Sequence, residues 1–453
     1  MQPTQAERAT PSQRNVLRGA IFIMATSSIG PAFLTQTSLF TEKYLASFAF
    51  AILVSLLIDI GAQLNIWRII TVANLRGQDV ANRVIPGVGH LISAFIVLGG
   101  IAFNIGNIGG AGLAMNVIFG IPPVIGSLIA AVLIIGIFLL RNAKGVMDSV
   151  MQVLGLVMLC MIGYAMLQSS PPLLEAVNRS FNPDDPLILL LPIVTLVGGT
   201  VGGYISFSGG HRLVEAGITG VENVRLVTRA AVTGIATTGV VRICLFLAAL
   251  GVVSQGLSLD PSNPAASVFS HSMGTVGYKI FGVVLLAASV SSVIGAAYTS
   301  VTFMYSLHDS IRRHNQRMVI GFIACSTLIY SLVGQPVKVL VVAGTLNALV
   351  LPLALGCVLL ASRKPAIVGD RYRHPTWMLV FGLLAATILA SGPVLKAIGM
   401  ILIGLLLGMV GTDAETGAER LTFGALELFD GIDFIVIAIG IFGFSEIIAN
   451  LER

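Results

Sequence analysis

Apolar stretches long enough for a helix to cross a lipid bilayer, about 20 residues each, recur along the whole chain. They fall at 18–40, 46–70, 88–118, 122–140, 147–168, 187–210, 230–254, 277–306, 318–334, 338–361, 375–392, 394–411 and 432–448. The pattern predicts an all-α, polytopic membrane protein. Two of the stretches are interrupted. Ser28-Ile29-Gly30-Pro31 breaks the first, and Gly198-Gly199-Thr200-Val201-Gly202-Gly203, continuing to Ser208-Gly209-Gly210, breaks the sixth. Lipid offers no hydrogen bonds, so unwound backbone survives only against protein or a wet cavity. Breaks in the first and sixth spans imply two halves of an inverted repeat, with a solute site where the breaks meet.

Composition agrees with this class. Charged residues make up 10% of the chain, against about 25% in soluble proteins. The formal net charge of +5 sits in the loops, which makes it a topology signal and not a nucleic-acid footprint. Basic residues gather in alternate loops: Arg8, Arg14 and Arg18, then Arg76 and Arg83, Arg141 and Lys144, Arg212, Arg225 and Arg229, Arg312, Arg313 and Arg317, and Arg363, Lys364, Arg371 and Arg373. The intervening 255–276 carries only Asp260, and 169–186 is acidic. The positive-inside rule then predicts a multi-pass protein of the cell membrane with a cytoplasmic amino terminus. The segment 412–433 breaks the alternation, with six acids against Arg420. Cys160, Cys244, Cys325 and Cys357 lie in apolar spans without CxxC spacing and are expected as small buried hydrophobes. No cleavable signal peptide is expected.

Polar residues at membrane depth are the candidates for function. Asp59 sits mid-span, where a carboxylate costs about 2.5 kcal/mol or more and should face the bundle interior. It reads equally as a coupling group and as a structural partner for an arginine. Asn104 and Asn107 share a helix face in a glycine-rich span; Asn107 is expected at the site and Asn116 in packing. Thr35, Gln36 and Thr37 follow the first break, and Tyr204, Ser206 and Ser208 follow the second. They would line a solute cage, satisfy freed backbone groups, or both. His211 and Arg212 are expected as loop residues at the cytoplasmic surface. H-E-x-x-H, P-loop and G-x-S-x-G patterns are not found, so no enzymatic activity is expected.

Several motifs, taken together, resemble a known family. Asn107-Ile108-Gly109-Gly110-Ala111-Gly112-Leu113-Ala114-Met115-Asn116-Val117-Ile118-Phe119-Gly120-Ile121-Pro122 resembles the third span of Nramp-type metal transporters, EVIGTAIALNLLFGIP. Gly30-Pro31-Ala32-Phe33-Leu34 resembles their first span and Gly198-Gly199-Thr200-Val201 their sixth. The resemblance covers about 15–380. It implies a LeuT-like bundle of five plus five inverted helices with an eleventh added. It also exposes departures. The family's DPGN metal motif falls at Thr41-Glu42-Lys43-Tyr44 if no gap intervenes, its Met-Pro-His at Gly202-Gly203-Tyr204, and its acidic third-span pair at Asn104 and Asn107. The thioether that selects soft metals is absent. From about Gly382 through Asp430-Gly431-Ile432 the chain is similar to part of the large membrane subunit of tripartite tricarboxylate transporters.

The division expected from this is a tail at 1–17, a transporter core at 18–380 and added helices at 381–453. The function expected is alternating-access transport of a small solute. With metal ligands missing and half-helix amino ends available, a small carboxylate-bearing solute is favoured over a divalent ion such as Mg²⁺, and either over a channel. The substrate-binding candidates are Gly30, Thr35, Gln36, Asn107, Gly202, Gly203, Tyr204 and Ser206, where the glycines would leave room for the solute. Asp59 is the coupling candidate. No cofactor or resident metal is expected; the partners are the bilayer and the solute, and the oligomeric state stays open.

Overall fold

The computed structural model describes residues 28–139, 143–306 and 309–391, with 411–412, 419–420, 422 and 428–429 beyond them. The expected tail, the span at 432–448 and nearly all of that at 394–411 lie outside the described residues. Helix α1 (Pro31–Tyr44) starts where Pro31 supplies a preset φ at the first helical position, needing no donor. A short 3₁₀ turn leads to α2 (Phe48–Ala73), closed by Asn74 in the left-handed conformation. Then come α3 (Gly77–Val84), α4 (Val88–Phe119) and α5 (Pro123–Leu139). α6 (Ala143–Gln168) stops before Pro171-Pro172, and α7 (Leu173–Phe181) leaves it at a bend of 105°. The sixth span is two pieces, α8 (Leu190–Thr200) and α9 (Tyr204–Glu215). α10 (Val224–Ser254) and α11 (Pro264–Phe303) follow. α12 (Asp309–Arg313), α13 (Asn315–Val333), α14 (Pro336–Ala361), α15 (Pro365–Val368) and α16 (Thr376–Ser391) complete this series. Seven helices among the described residues are long and apolar enough to cross a membrane, or eight if the bent pair forms one span.

Three expectations change. The second break ends at Gly203; residues 208–210 are helical, and their glycines admit a neighbour. A Cβ at Gly209 would lie 2.1 Å from the Trp67 ring, whose indole N–H donates to the Ser206 carbonyl at 2.7 Å. The segment 255–276 is not all loop, because α11 begins at Pro264 behind an Asn263 side chain that accepts from Ala266 N–H. Of the cysteines, Cys357 is buried and Cys244 half-buried, but Cys160 and Cys325 lie on the outer surface of the bundle.

α4 is the hub, because its glycines let several helices approach closely. A methyl group at Gly110 would overlap Pro31 of α1 at 2.3 Å, at Gly112 the Pro123 carbonyl at 2.2 Å, and at Gly106 the Leu340 side chain of α14 at 2.9 Å. Two polar ends bound the bundle. At one, Arg76 pairs with Glu215 at 3.2 Å and Lys364 donates to the Val84 carbonyl. Nearby, His374 bridges Tyr372 at 2.9 Å and Asn65 at 2.8 Å, while Arg68 donates to the Tyr372 hydroxyl. Burial, with Arg68 and Arg363 close by, pushes His374 down to about 4, so it acts as a neutral bridge. At the other end, Ser47 donates to Asp184, Glu42 accepts from Leu259 N–H and Lys279 donates to the Val117 and Ile118 carbonyls.

The chain divides into two compact units, Met1–Ala390 and Ser391–Arg453. In the second, Gly411–Thr412 pairs antiparallel with Glu419–Arg420. α16 runs unbroken through the division expected at 381, and Gly382 packs against the Asn65 amide of α2. Met378 accepts from that amide at 3.1 Å, and Leu389 is fully buried. A chain ending at Ser391 is therefore expected to keep its melting temperature in detergent, and one ending at Phe381 to melt lower. Equal melting of the two truncations would show that α16 is dispensable.

Candidate functional site

The two breaks meet. Ser28, at the start of the first, donates to the Thr200 carbonyl at the end of α8 at 2.9 Å. Gly30 caps α1, and a Cβ there would lie 2.7 Å from Ser292 Oγ of α11 and 3.7 Å from Asn107 Oδ1 of α4. The Tyr204 hydroxyl, one residue past the second break, faces the same Asn107 amide, and its ring packs edge-on against Phe103 at 5.6 Å. So the structure brings Gly30, Asn107 and Tyr204 together, with Ser292 beside them. Asn107 is fully buried, and neither its Oδ1 nor its Nδ2 closes a hydrogen bond within the protein. Such groups are costly unless something polar visits them. Asn104 instead donates to Ser326, and Asn116 to the Ile121 carbonyl.

The second break is held from α14. Asn347 Nδ2 donates to the carbonyls of Gly198 at 3.1 Å and Gly202 at 3.0 Å. Gly203 has φ +50° and ψ −121°, a conformation open to glycine. A Cβ there would lie 1.8 Å from Asn347 Oδ1, and one at Gly202 would meet the Gly198 carbonyl at 2.5 Å. The glycines at 202 and 203 thus make room for Asn347 and for their own chain, not for a solute. Ser206 donates to the Val201 carbonyl. The carbonyls of Gly198, Thr200, Val201 and Gly202 therefore all accept from protein donors.

Gln36 lies on the next turn of α1. Its Nε2 donates to the Leu340 carbonyl at 2.9 Å, its side chain fits between Gly199 and Gly344, and its Oε1 has no partner. Thr35 is buried beside it in sequence. His211 is not a surface loop residue: it is buried in α9, where Nε2 accepts from Gly77 N–H at 3.0 Å. This fixes the neutral tautomer with hydrogen on Nδ1.

Asp59 is fully buried and does have an arginine partner, Arg242 of α10, at 3.9 Å. Arg242 also donates to the Thr200 hydroxyl and lies 4.7 Å over the Phe33 ring. Phe33 is in the first turn of α1 and Thr200 is the last residue of α8, so one guanidinium touches both broken spans. Sequence reasoning passed over Arg242, Asn347 and Ser292. A lone arginine in Gly239-Val240-Val241-Arg242-Ile243-Cys244-Leu245 was a legible signal; an amide or a serine within small-residue spans was not. Among the described residues no three His, Cys, Asp or Glu side chains cluster in a way that could hold a metal ion.

The structure also places the stretch compared with the family's DPGN motif. Thr41–Tyr44 is the far end of α1, away from the break. The break itself lies at Ile29-Gly30, and Pro31-Ala32-Phe33 form the first turn of α1. Comparisons with known proteins agree with this frame. Residues 21–397 match the model of the "Natural resistance-associated macrophage protein-like" (Nramp) family, and residues 342–453 that of the tripartite tricarboxylate transporter TctA family. The second match begins well before Gly382, and the two overlap across most of α14 and all of α16. The uncharacterized membrane protein YcsG of Bacillus subtilis is 53% identical over 376 residues, 83% of this chain and 92% of its own length. An uncharacterized membrane protein of Haemophilus influenzae is 51% identical over 380 residues, covering 83% and 94%. Among solved structures, the Eremococcus coleocola manganese transporter superposes with a TM-score of 0.65 at 17% identity, covering 98% of this chain and 94% of its own. MhsT in complex with L-phenylalanine superposes with a TM-score of 0.62 at 17% identity, covering 82% and 96%. The shared fold is the LeuT-like inverted repeat, with spans one and six broken.

Because Gly203 is both left-handed and pressed against Asn347, Gly203→Ala is expected to cost about 1–3 kcal/mol in backbone strain and to displace the amide that holds the break. Asn347→Ala should cost about 1–3 kcal/mol, because the Gly198 carbonyl loses its side-chain donor while that of Gly202 keeps Ile205 N–H at 3.1 Å. Thermal unfolding in detergent measures both, and a wild-type melting point for Gly203→Ala would contradict the geometry of the break.

Proposed function

The chain belongs to the Nramp family of membrane transporters, and on that footing we propose that it carries a small carboxylate-bearing organic solute by alternating access. It works in the cell membrane with a cytoplasmic amino terminus. The observation that carries this reading is the uneven supply of hydrogen-bonding groups at the breaks. The carbonyls at the second break accept from Asn347, Ser28 and Ser206. A cation coordinated by backbone oxygens would have to share each of these carbonyls with the donor already on it, through the oxygen's second lone pair. The amino ends of α1 and α9 have first-turn N–H groups with no partner in their own helix and carry the positive end of the helix dipole. They suit an anion, as half-helix amino ends do in transporters that bind a substrate carboxylate. The open amide oxygens of Asn107 and Gln36, with the hydroxyls of Ser292 and Tyr204, add positions for a second polar group on the solute, such as a hydroxyl or an amine.

The divalent-ion reading keeps the function suggested by the family's manganese-transporting structural relative. Its donors here would be neutral amides and hydroxyls, which suit a hard ion better than a soft one. The inward step would open the end where Arg76 pairs with Glu215, because that contact ties the loop before α3 to the end of α9.

A ligand that binds only the folded protein raises its melting point, by about 2.7 kcal/mol of stability at 100 times its Kd. Purified protein is expected to be stabilised by at least one of lactate, succinate, citrate and glutamate, and not by Mn²⁺. Stabilisation by Mn²⁺ or Mg²⁺ with no response to the four carboxylates would replace this reading with the ion reading.

A further inference from the structure

We infer that Arg242 anchors the solute's carboxylate and that Asp59 takes up a proton as it gives up the guanidinium, so that the anion travels with one proton. The inference rests on the carboxylate reading above and adds to it the anchoring residue and the coupling ion.

The geometry is that of a guanidinium held but not satisfied. Arg242 is fully buried and reaches the first break through Phe33 and the second through Thr200. Its Nε and Nη1 have no hydrogen-bond partner. Asp59 stands 3.9 Å from Nη1, near enough to balance the charge but too far for a hydrogen bond. Arginine presents its donors in a flat fork matched to a carboxylate, and burying them unpaired is costly. A solute carboxylate arriving at the breaks fills that fork.

It then competes with Asp59 for one cation. Arg242, from α10, is the charged group that acts on Asp59; Thr200 of α8 is the hydroxyl beside it, and Phe33 of α1 covers the guanidinium. With two carboxylates and one guanidinium in a dry site, one carboxylate must become neutral. The exchange balances. The solute anion and one proton enter, the Arg242–Asp59 pair opens, and Arg242 with bound anion and protonated Asp59 results. Net charge at the site is unchanged. The two residues stand on spans two and seven, the equivalent helices of the two repeats, each packed against the broken spans.

The test uses the full-length protein in detergent with lactate, succinate, citrate and glutamate as probes. Wild-type protein in weak buffer with a pH indicator should take up about one proton per anion bound when Asp59 starts ionised, and its affinity should fall as pH rises. Asp59→Asn should bind the same anions more tightly, because the competitor is gone, with no proton uptake and no such pH dependence. The double variant Asp59→Asn/Arg242→Gln leaves no unpaired buried charge and should bind at least about 30-fold more weakly, the usual minimum for losing one partner of a buried charged contact. If the double variant does not fold, the proton count and Asp59→Asn decide. Anion binding by wild-type protein without proton uptake, or unchanged binding by the double variant, would overturn the inference and leave the carboxylate reading standing. No response of wild-type protein to any of the four anions would overturn both.

Discussion

A hydrogen bond broken inside a bilayer has to be remade by the protein, and that requirement organises this molecule. Two spans are unwound, so each must find partners for its freed backbone groups away from lipid. At the second break the partners are side chains: Asn347 from span ten, Ser28 from the first break and Ser206 from the following half-helix. Each can reach only if its helix comes close. Closeness in turn needs small residues, which explains the glycines along α4 and the packing of Gly198 onto the Gly344 carbonyl of α14, where a Cβ would sit 1.8 Å away. The helical bundle and the site are therefore consequences of one local constraint.

Most of the fold was legible in the sequence because membrane helices announce themselves by length and composition. The span boundaries agree within a few residues for α4, α5, α13 and α14. The position of both breaks was also legible, since proline removes a backbone donor and clustered glycines loosen a helix that lipid would otherwise keep wound. What escaped was the use of the glycines. Gly202 and Gly203 read as empty space for a solute, whereas the space at Gly203 belongs to the Asn347 side chain and that at Gly202 to the Gly198 backbone. Glycine in a sequence says that something approaches closely and does not say what. Likewise Gly209 admits Trp67 of α2, an interaction across 142 positions that no local pattern encodes.

The site was legible in part for the same reason. Asn107 stood out as an amide among glycines, and Asp59 as a charge in an apolar run. Both are buried where expected. Arg242 was equally visible, yet its meaning depends on Asp59 and on Thr200 and Phe33 at the breaks, which only the fold brings together. The stretch compared with the family's DPGN motif, Thr41–Tyr44, ends α1, and the residues that flank the unwound turn are Ser28 and Pro31.

The Asp59–Arg242 pair also bears on the proposal that the solute is an anion. For a divalent cation to use Asp59, it must take the carboxylate from Arg242 and leave a guanidinium unpaired beside it. Arginine keeps its charge at neutral pH, so the cation would face an uncompensated positive neighbour in a low-dielectric site. The reverse exchange carries no such penalty. An anion that takes the guanidinium leaves behind a carboxylate, and a carboxylate can neutralise itself with a proton. The pair is therefore asymmetric in what it can release. The same asymmetry fits the start of α1, where Gly30, Pro31, Ala32 and Phe33 offer neither a carboxylate nor an amide side chain. A divalent cation entering here would meet neither the carboxylate nor the amide of the family's first-span motif, and it would face a fixed guanidinium that touches both broken spans.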